Sequence, residues 1–299
     1  MHSVLLVSAL LLAAFATCTE SGQAVDVFLI GGQSNATGQG YLRHLPNGVA
    51  PDPKVMLFHS NQIHSGGKAM AWIPLRGASE SPDRFGPELG FGNRMAQLQP
   101  HRRIAIIKHA YSGSNLYKDW HPGANAADTA HFGPHFARFV ETVDAGLAAL
   151  KAKGLAPRIR AMLWQQGEGD ASAKAPKGTA QRYAANLTHF IRRVRKQFAA
   201  PDMLFAYGHV LPVGSGPLRA AVRQAQTDLS HDSGGPAAVP GALLVHTDGL
   251  SLRANDPETP YPWDKIHFGT AGTLELGHRF AQRIHQADGR TAPPSLGVR

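Results

Sequence analysis

A single serine stands among glycines and amides where an apolar run of the sequence ends. The segment GGQSNATG (residues 31–38) directly follows VDVFLI (residues 25–30). A hydroxyl at a strand-to-helix turn is exposed, so Ser34 could act as a nucleophile. A serine that caps a helix or closes a turn would occupy the same position. Phosphate or dinucleotide binding is not expected, because the G-x-x-x-x-G-K-[ST] and G-x-G-x-x-G patterns are missing. The G-x-S-x-G elbow of α/β-hydrolases is missing too.

An acidic residue and a histidine lie three positions apart near the end of the chain, in YPWDKIHFGTAG. On a turn, this spacing lets the Asp264 carboxylate accept a hydrogen bond from the Nδ1–H of His267. That bond fixes the tautomer of the ring and leaves Nε2 free as a base. The D-x-x-H pattern also arises by chance. The structural alternative is that Asp264 caps a helix beside a surface histidine.

Two other segments place polar groups after apolar runs. In SGSNL, Gly113 could present its backbone N–H to a ligand or simply form a turn. In WQQGEGD, the Gln166 amide could stabilise an oxyanion. Glu168 and Asp170 could bind a substrate hydroxyl, but buried acids after a strand commonly brace loops by accepting backbone N–H groups. Bracing is the favoured interpretation for both acids.

Apolar runs that alternate with helical patterns would position these groups. The runs predict strands at residues 25–30, 55–58, 104–108, 161–164, 204–207 and 243–246, and the patterns predict helices at 88–98, 136–153, 180–198, 218–229 and 271–286. This alternation predicts an α/β fold with a parallel sheet covered on both faces. In such sheets, ligands bind beyond the carboxyl ends of the strands, where all of the polar segments fall.

Composition narrows the classes of function. Of 299 residues, 43% are hydrophobic and 17% are charged, which is typical of a folded core. The net charge is +9, but the basic residues are spread along the chain, so nucleic-acid binding is not expected. The histidines at 109, 121, 131 and 135 raise the alternative of a metal site. Because the chain has no H-E-x-x-H motif or cysteine cluster, neither a metal nor another cofactor is expected.

The N-terminus is typical of a secretory signal. Residues 4–16 are apolar and end in Ala14-Phe15-Ala16, an A-x-A cleavage pattern. The run is shorter than the roughly 20 residues that a membrane-spanning helix needs, and no transmembrane segment is expected. A buried N-terminal helix is the alternative. Cys18, the only cysteine, excludes an intrachain disulfide. The protein is expected to be secreted or periplasmic, with a lipid anchor on Cys18 less favoured.

Taken together, these segments resemble carbohydrate esterase family 6 and the sialate O-acetylesterases (SASA domains) of the SGNH hydrolase superfamily. The similar pieces occur in family order: GGQSN, SGSNL…W, WQQGEGD, TDGL and DKIHF, with RFGPELGFG between the first two. The resemblance implies a three-layer α/β/α sandwich with a central parallel sheet, flavodoxin-like in form. It also implies hydrolysis of acetyl esters on sugars without a metal.

The resemblance assigns roles to particular residues. It implies Ser34 as nucleophile, His267 as base and Asp264 as the acidic partner of the base. The oxyanion hole would comprise the N–H groups of Ser34 and Gly113 and the side chain of Gln166. Four further residues are expected to bind substrate or to brace the site: Gln33, Asn35, Glu168 and Asp170. Ser112, Ser114 and the prolines before Asp264 depart from the family pattern, which bears on substrate preference.

The expected protein is a secreted serine esterase that removes O-acetyl groups from carbohydrates, of the acetyl xylan or sialate type, through an acetyl-serine intermediate. The expected organisation is a signal peptide and short segment at 1–24, one esterase domain at 25–288 and a tail at 289–299. The only expected partner is an acetylated carbohydrate. A sugar-binding protein without activity, a carbohydrate O-acetyltransferase and a lipase-like esterase stay open as alternatives.

Overall fold

The computed structural model of the chain describes residues 22–125, 127–212 and 216–291. Its strands are β1 (Gln23–Gly32), β2 (Gly40–Tyr41), β3 (Met56–His59), β4 (Ile73–Pro74), β5 (Arg84–Phe85), β6 (Ile104–Lys108), β7 (Leu155–Gln165), β8 (Leu204–Gly208) and β9 (Ala242–Val245). Its helices are α1 (Ser34–Thr37), α2 (Pro87–Leu98), α3 (Pro134–Lys151), α4 (Tyr183–Gln197), α5 (Pro217–Leu229) and α6 (Thr270–Thr291).

Seven of these strands form one sheet in the order β4-β3-β6-β1-β7-β8-β9. All neighbours pair in parallel except β4, which lies antiparallel to β3 at one edge. The short strands β2 and β5 form a separate antiparallel pair. The sheet is therefore mostly parallel, and the predicted α/β class is confirmed.

Helices cover both faces of the sheet and give it three layers. Successive residues of β1 point to opposite faces: Val27 and Leu29 join the core under α3, α4 and α5, whereas Phe28 and Ile30 join the core under α2 and α6. All four side chains are at most 2% exposed. A strand buried on both faces has no polar side, which explains why residues 27–30 are a continuous apolar run.

The first half of β7 and the end of α6 differ from the predictions. The strand begins at Leu155 rather than at residue 161. Its first half contains arginines, which hide the apolar pattern; one of them, Arg160, lies near the buried Asp26 (3.9 Å) and pairs with Asp288. The last helix continues to Thr291 rather than ending at residue 286.

Several predicted features lie outside the described residues: the signal segment through residue 21, Cys18, and the tail from residue 292 onwards. Among the residues that are described, none of the helices combines the length and the apolar character needed to cross a bilayer.

A glycine at the end of β1 allows the chain to pass close to the end of β7, next to the segment that carries Ser34. Gly32 has a φ of +132°, and a Cβ at this position would lie 2.2 Å from the carbonyl oxygen of Gln165 at the end of β7. Only glycine allows this approach. The carboxyl ends of the two central strands therefore lie against each other where the chain turns into α1.

Candidate active site

Ser34 is the first residue of the single-turn helix α1 and is 5% exposed. The residue at the N-cap position is Gln33, so the serine hydroxyl does not cap the helix. Instead, the hydroxyl lies 2.9 Å from Nε2 of His267, which is 233 positions away in the sequence. The structure therefore favours a hydroxyl that faces the imidazole over the N-cap alternative.

A buried ion pair supports α1 from below. The ammonium of Lys108 lies 2.5 Å from a carboxylate oxygen of Glu88, and both side chains are fully buried. Lys108 also donates hydrogen bonds to the carbonyls of Thr37 (2.9 Å) and Ala78 (2.6 Å). Burial lowers the pKa of Lys108, and the Glu88 carboxylate opposes that shift. The last turn of α1 is thus tied to the core through a charged group that the sequence analysis did not single out.

The Asp264–His267 pair forms as its spacing predicts. His267 Nδ1 lies 3.0 and 2.8 Å from the two carboxylate oxygens of Asp264. The same carboxylate accepts the backbone N–H groups of Ile266 and His267 at 3.2 Å each. Burial alone would raise the pKa of Asp264, but these hydrogen bonds and the charge of His267 lower it. Asp264 therefore both organises the turn and orients the imidazole.

Asn35 joins the turn of the nucleophile to the loop that carries His267. Its amide donates to the carbonyl of Ile266 (3.0 Å), and its side-chain oxygen accepts the N–H of Phe268 (3.0 Å). The same amide also donates to Glu168 (3.1 Å). Both neighbours of His267 are thus held by the residue that follows Ser34.

Arg253 is a site residue that the sequence analysis missed. Its guanidinium lies 3.5 Å from Asp264 and 3.8 Å from the ring centroid of Tyr261. It also donates to the hydroxyl of Tyr41 (2.9 Å). Arg253 is 5% exposed, so this cation acts on Asp264 with little screening by solvent. Nothing in its local sequence signals the role, because all three contacts come from distant segments or from the fold of the loop.

Two backbone N–H groups and one amide are available beside Ser34. Gly113 lines the pocket in the left-handed region (φ +73°), which glycine adopts without steric cost. Within the described ranges, the N–H groups of Ser34 and Gly113 have no backbone acceptor. Gln33 also lines the pocket, and its side-chain oxygen faces three donors at 3.1–3.4 Å from Gln166, Gly167 and Gly169. Because these donors fix the orientation of the Gln33 amide, its NH₂ group is left without a partner among the described residues.

The structure does not support the expected role of Gln166 as an oxyanion donor. Its amide donates to Asp170 (2.7 Å) and to Gln33 (3.2 Å), which uses both of its hydrogens. Its oxygen accepts the hydroxyl of Tyr183 (3.1 Å), and the side chain is fully buried outside the lining of the pocket. Gln166 therefore braces Gln33 from behind.

The two acids of WQQGEGD differ in their surroundings. Asp170 accepts the N–H groups of Leu116 (2.7 Å) and Tyr117 (3.3 Å), so it braces the loop that carries Gly113. Burial raises the pKa of Asp170 to about 6, against the effect of these donors. Glu168 lines the pocket, and burial raises its pKa as well. One of its oxygens has no partner among the described residues.

The pocket above Ser34 has a volume of about 420 Å³. That is at the small end of ligand pockets, which span roughly 300–1,000 Å³. Polar side chains form its rim: Arg84 donates to Gln39 (2.8 Å) and lies 3.6 Å from Glu80. Trp263, beside Asp264 in the chain, is 71% exposed. The arrangement suits a small acyl group attached to a polar molecule.

Comparisons with known proteins give a family match and several similar folds. A model of the SASA family, described as "carbohydrate esterase, sialic acid-specific acetylesterase", matches residues 24–286. No curated protein sequence matches the chain. Among solved structures, the chain is similar to an Arabidopsis thaliana protein (19% identity, 87% of this chain and 98% of that one, TM-score 0.63). It is also similar to NanS (16%, 90% and 99%, TM-score 0.65) and to a carbohydrate acetylesterase from Xanthomonas citri (20%, 89% and 57%, TM-score 0.56). At these identities the likeness concerns the fold.

Proposed function

This chain belongs to the SASA family of carbohydrate esterases and is a carboxylic ester hydrolase, and we propose that Ser34 carries out its reaction through an acetyl-serine intermediate. The observation that carries the proposal is the distance of 2.9 Å between Ser34 Oγ and His267 Nε2, with Asp264 bonded to the other ring nitrogen. A hydroxyl at this distance from a neutral imidazole can transfer its proton as it attacks a carbonyl.

The reaction then has two halves. In the first, His267 takes the proton of Ser34 while the oxygen attacks the acetyl carbonyl, and the protonated ring then donates to the departing sugar oxygen. In the second, His267 takes a proton from water, which attacks the acetyl-serine; the ring then returns that proton to Ser34 Oγ as the acyl–oxygen bond breaks and acetate is released. Asp264 stabilises the imidazolium that forms in each half by accepting the Nδ1–H.

The oxyanion hole would use the N–H groups of Ser34 and Gly113 and the amide of Gln33. Gln33 replaces Gln166 in this role because its NH₂ group is free, whereas that of Gln166 is not. Fixed donors cost no reorganisation when charge develops, which is why such groups stabilise the transition state strongly. The three donors that fix the oxygen of Gln33 supply that rigidity.

The alcohol side of the substrate would be a sugar. The pocket offers the unpartnered oxygen of Glu168 together with the charged rim of Glu80 and Arg84, all of which can bind hydroxyl groups. A long acyl chain would lack an apolar channel of matching length among these polar residues. Acetylated xylan, pectin and sialic acids are the substrate classes to compare.

Acetate release from those three substrates tests the proposal. Wild-type protein should release acetate from at least one of them, and Ser34→Ala should release none, while Ser172→Ala, at a serine outside this pocket, should match wild type. Trapping with a slow acetyl donor should add the mass of one acetyl group to Ser34. Release by Ser34→Ala would contradict the serine mechanism. Transfer to excess sugar in place of hydrolysis would identify a transferase, and faster turnover of longer acyl esters would identify a lipase-like enzyme.

We further propose that residues 1–24 direct export. An apolar run followed by A-x-A supports this, since such runs are removed after translocation. N-terminal sequencing of protein expressed from the full chain should begin after Ala16. An intact N-terminus in the mature protein would contradict cleavage. Release from membranes by Cys18→Ser would indicate a lipid anchor instead.

A further inference from the structure

Two histidines and an aspartate converge at the edge of the sheet farthest from β4. His209 follows β8, His246 follows β9, and Asp248 lies on the turn after β9. One ligand atom from each lies within 4.8 Å of the others. None of the three lines the pocket that contains Ser34.

The parallel pairing of β8 and β9 creates this cluster. Gly208 and Val245 are partners in the sheet, and the N–H of His209 donates to the carbonyl of Val245 (3.0 Å). The residues that follow the two strands are therefore neighbours, and the rings of His209 and His246 have centroids 5.6 Å apart. The sheet thus holds two of the three groups in a fixed relation.

The hydrogen bonds of His209 determine its tautomer. Its Nε2 lies 3.0 Å from the hydroxyl oxygen of Thr227, and that hydroxyl donates its own hydrogen to the carbonyl of Arg223 (3.1 Å). The hydroxyl can therefore only accept, so Nε2 of His209 carries the proton. Nδ1 then has a free lone pair. A ring held through one nitrogen with the other unprotonated is the usual state of a histidine ligand.

Among the described residues, Nδ1 of His209 has no hydrogen-bond partner although the residue is only 6% exposed. A buried nitrogen in this state is uncommon, and His209 offers a ligand atom within 4.8 Å of those of the exposed His246 and Asp248.

We propose that His209, His246 and Asp248 form a binding site for a divalent transition-metal ion of the zinc class. Two imidazoles and one carboxylate suit zinc, with a fourth position open to water. In a tetrahedral zinc shell with bonds of about 2.1 Å, neighbouring ligand atoms lie about 3.4 Å apart. The three ligand atoms now lie within 4.8 Å of one another, so rotations of the exposed His246 and Asp248 would bring them closer and close the shell. The ion would join the ends of β8 and β9. This site is independent of the proposed esterase function.

Two arginines lie beside the proposed site, and their positive charges disfavour binding of a cation. Substitution of one of them therefore has an expected effect opposite to that of losing a ligand. Arg223 donates to both oxygens of Asp248 (3.2 and 3.0 Å) and to the carbonyl of Val210. Arg279 donates to the carbonyls of His246 and Asp248. Because Arg223 competes for the same carboxylate, Arg223→Gln should tighten zinc binding, whereas loss of a ligand should weaken it.

Titration of the untagged full chain with zinc chloride, after chelator treatment and removal of the chelator, tests the site. Wild type should bind one zinc ion per chain and melt at a higher temperature with zinc. His246→Ala and Asp248→Asn, both at exposed positions, should each weaken binding by about tenfold or more and lose the melting shift. His131→Ala and His267→Ala are matched controls that should keep both, since they remove an exposed and an active-site histidine elsewhere.

Three results would overturn the proposal: no zinc binding at one ion per chain, unchanged binding in both ligand variants, or loss of binding in His267→Ala, which would place the ion at the active site. A cobalt spectrum that is the same in wild type and His246→Ala would do so as well. Acetate release measured in parallel keeps this outcome separate from failure of the esterase proposal.

Discussion

The chain contains the D-x-x-H spacing three times, beginning at Asp128, Asp228 and Asp264, and only the last copy lies at the pocket. In the first and the last copy the histidine Nδ1 meets the aspartate: at 2.5 Å for Asp128 and His131, and at 2.8 Å for Asp264 and His267. The side chain of His131 is 77% exposed, whereas that of His267 is 22% exposed. The second ring also meets the hydroxyl of Ser34.

This difference shows that the local spacing is enough to form the Asp–His pair. Tertiary contacts are needed to place such a pair beside the hydroxyl of Ser34. Asn35 holds both neighbours of His267, and Arg253 lies beside Asp264. The carboxylate of Asp128 instead accepts the N–H of Ala124 and serves its own exposed turn. Four matched experiments test how far the two pairs differ.

The largest difference in kcat is expected between substitutions of the two histidines. His267→Ala should lower kcat for p-nitrophenyl acetate by on the order of 10⁴-fold or more, because the proton of Ser34 loses its acceptor. His131→Ala should stay within about twofold of wild type, since an exposed pair contributes little. Stopped assays with circular dichroism of each variant check this. Equal losses in two folded variants would remove the distinction between the pairs.

The next largest difference in kcat is expected between substitutions of the two aspartates. Asp264→Asn keeps the shape of the side chain but cannot stabilise the imidazolium, so kcat should fall by roughly 10³–10⁴-fold. Asp128→Asn should leave kcat unchanged. Parallel kcat and KM measurements decide the matter, and a fully active Asp264→Asn variant would show that His267 works without its carboxylate.

The side-chain amides of Gln33 and Gln166 provide the next comparison, because Gln33 lines the pocket and Gln166 lies behind it. Gln33→Ala should lower kcat by about 10²–10³-fold with little change in KM, which corresponds to the loss of about 2.7–4 kcal/mol of transition-state stabilisation. Gln166→Ala should lower activity less and instead destabilise the fold, by about 1–3 kcal/mol, because Asp170 and Tyr183 lose buried partners. Denaturant unfolding beside kinetics separates the two. The reverse order would restore Gln166 as the oxyanion donor.

The smallest effect on kcat is expected from substitution of Asn35, which holds the loop around His267. Asn35→Ala should lower kcat by about tenfold, because the loop around His267 loses its link to the turn of Ser34. Amide hydrogen exchange gives an independent check: the N–H of Phe268, which now donates to Asn35, should exchange faster in the variant. Unchanged exchange there would show that the loop is held by other contacts.

Sequence reasoning succeeded where local pattern decides the outcome. The run at 104–108 predicted β6 residue for residue, because every one of its side chains is buried and apolar or, in Lys108, paired. The predicted strand at 161–164 captured only the second half of β7, because the charge of Arg160 in the first half is balanced by Asp26 and Asp288, far along the chain. Strand periodicity carries no information about such partners.

The residues of the candidate site also divide into those that local motifs indicate and those that depend on distant contacts. The motifs brought forward Ser34, Asp264 and His267, which lie together in the structure. The direction of an amide depends on which donors surround it, so the proposal that Gln33 rather than Gln166 serves as oxyanion donor required coordinates. Arg253 was missed for a similar reason: its partners Tyr41, Tyr261 and Asp264 come together only when the loop packs against the sheet.

The hydroxyl and the imidazole that meet in the pocket come from opposite ends of the polypeptide, the first just after β1 and the second just before α6. A chain that is still being synthesised therefore holds one of the two without the other. If the two groups react as proposed, the nascent chain cannot cleave esters until its C-terminal segment has been made. A truncation before His267 should then leave an inert protein.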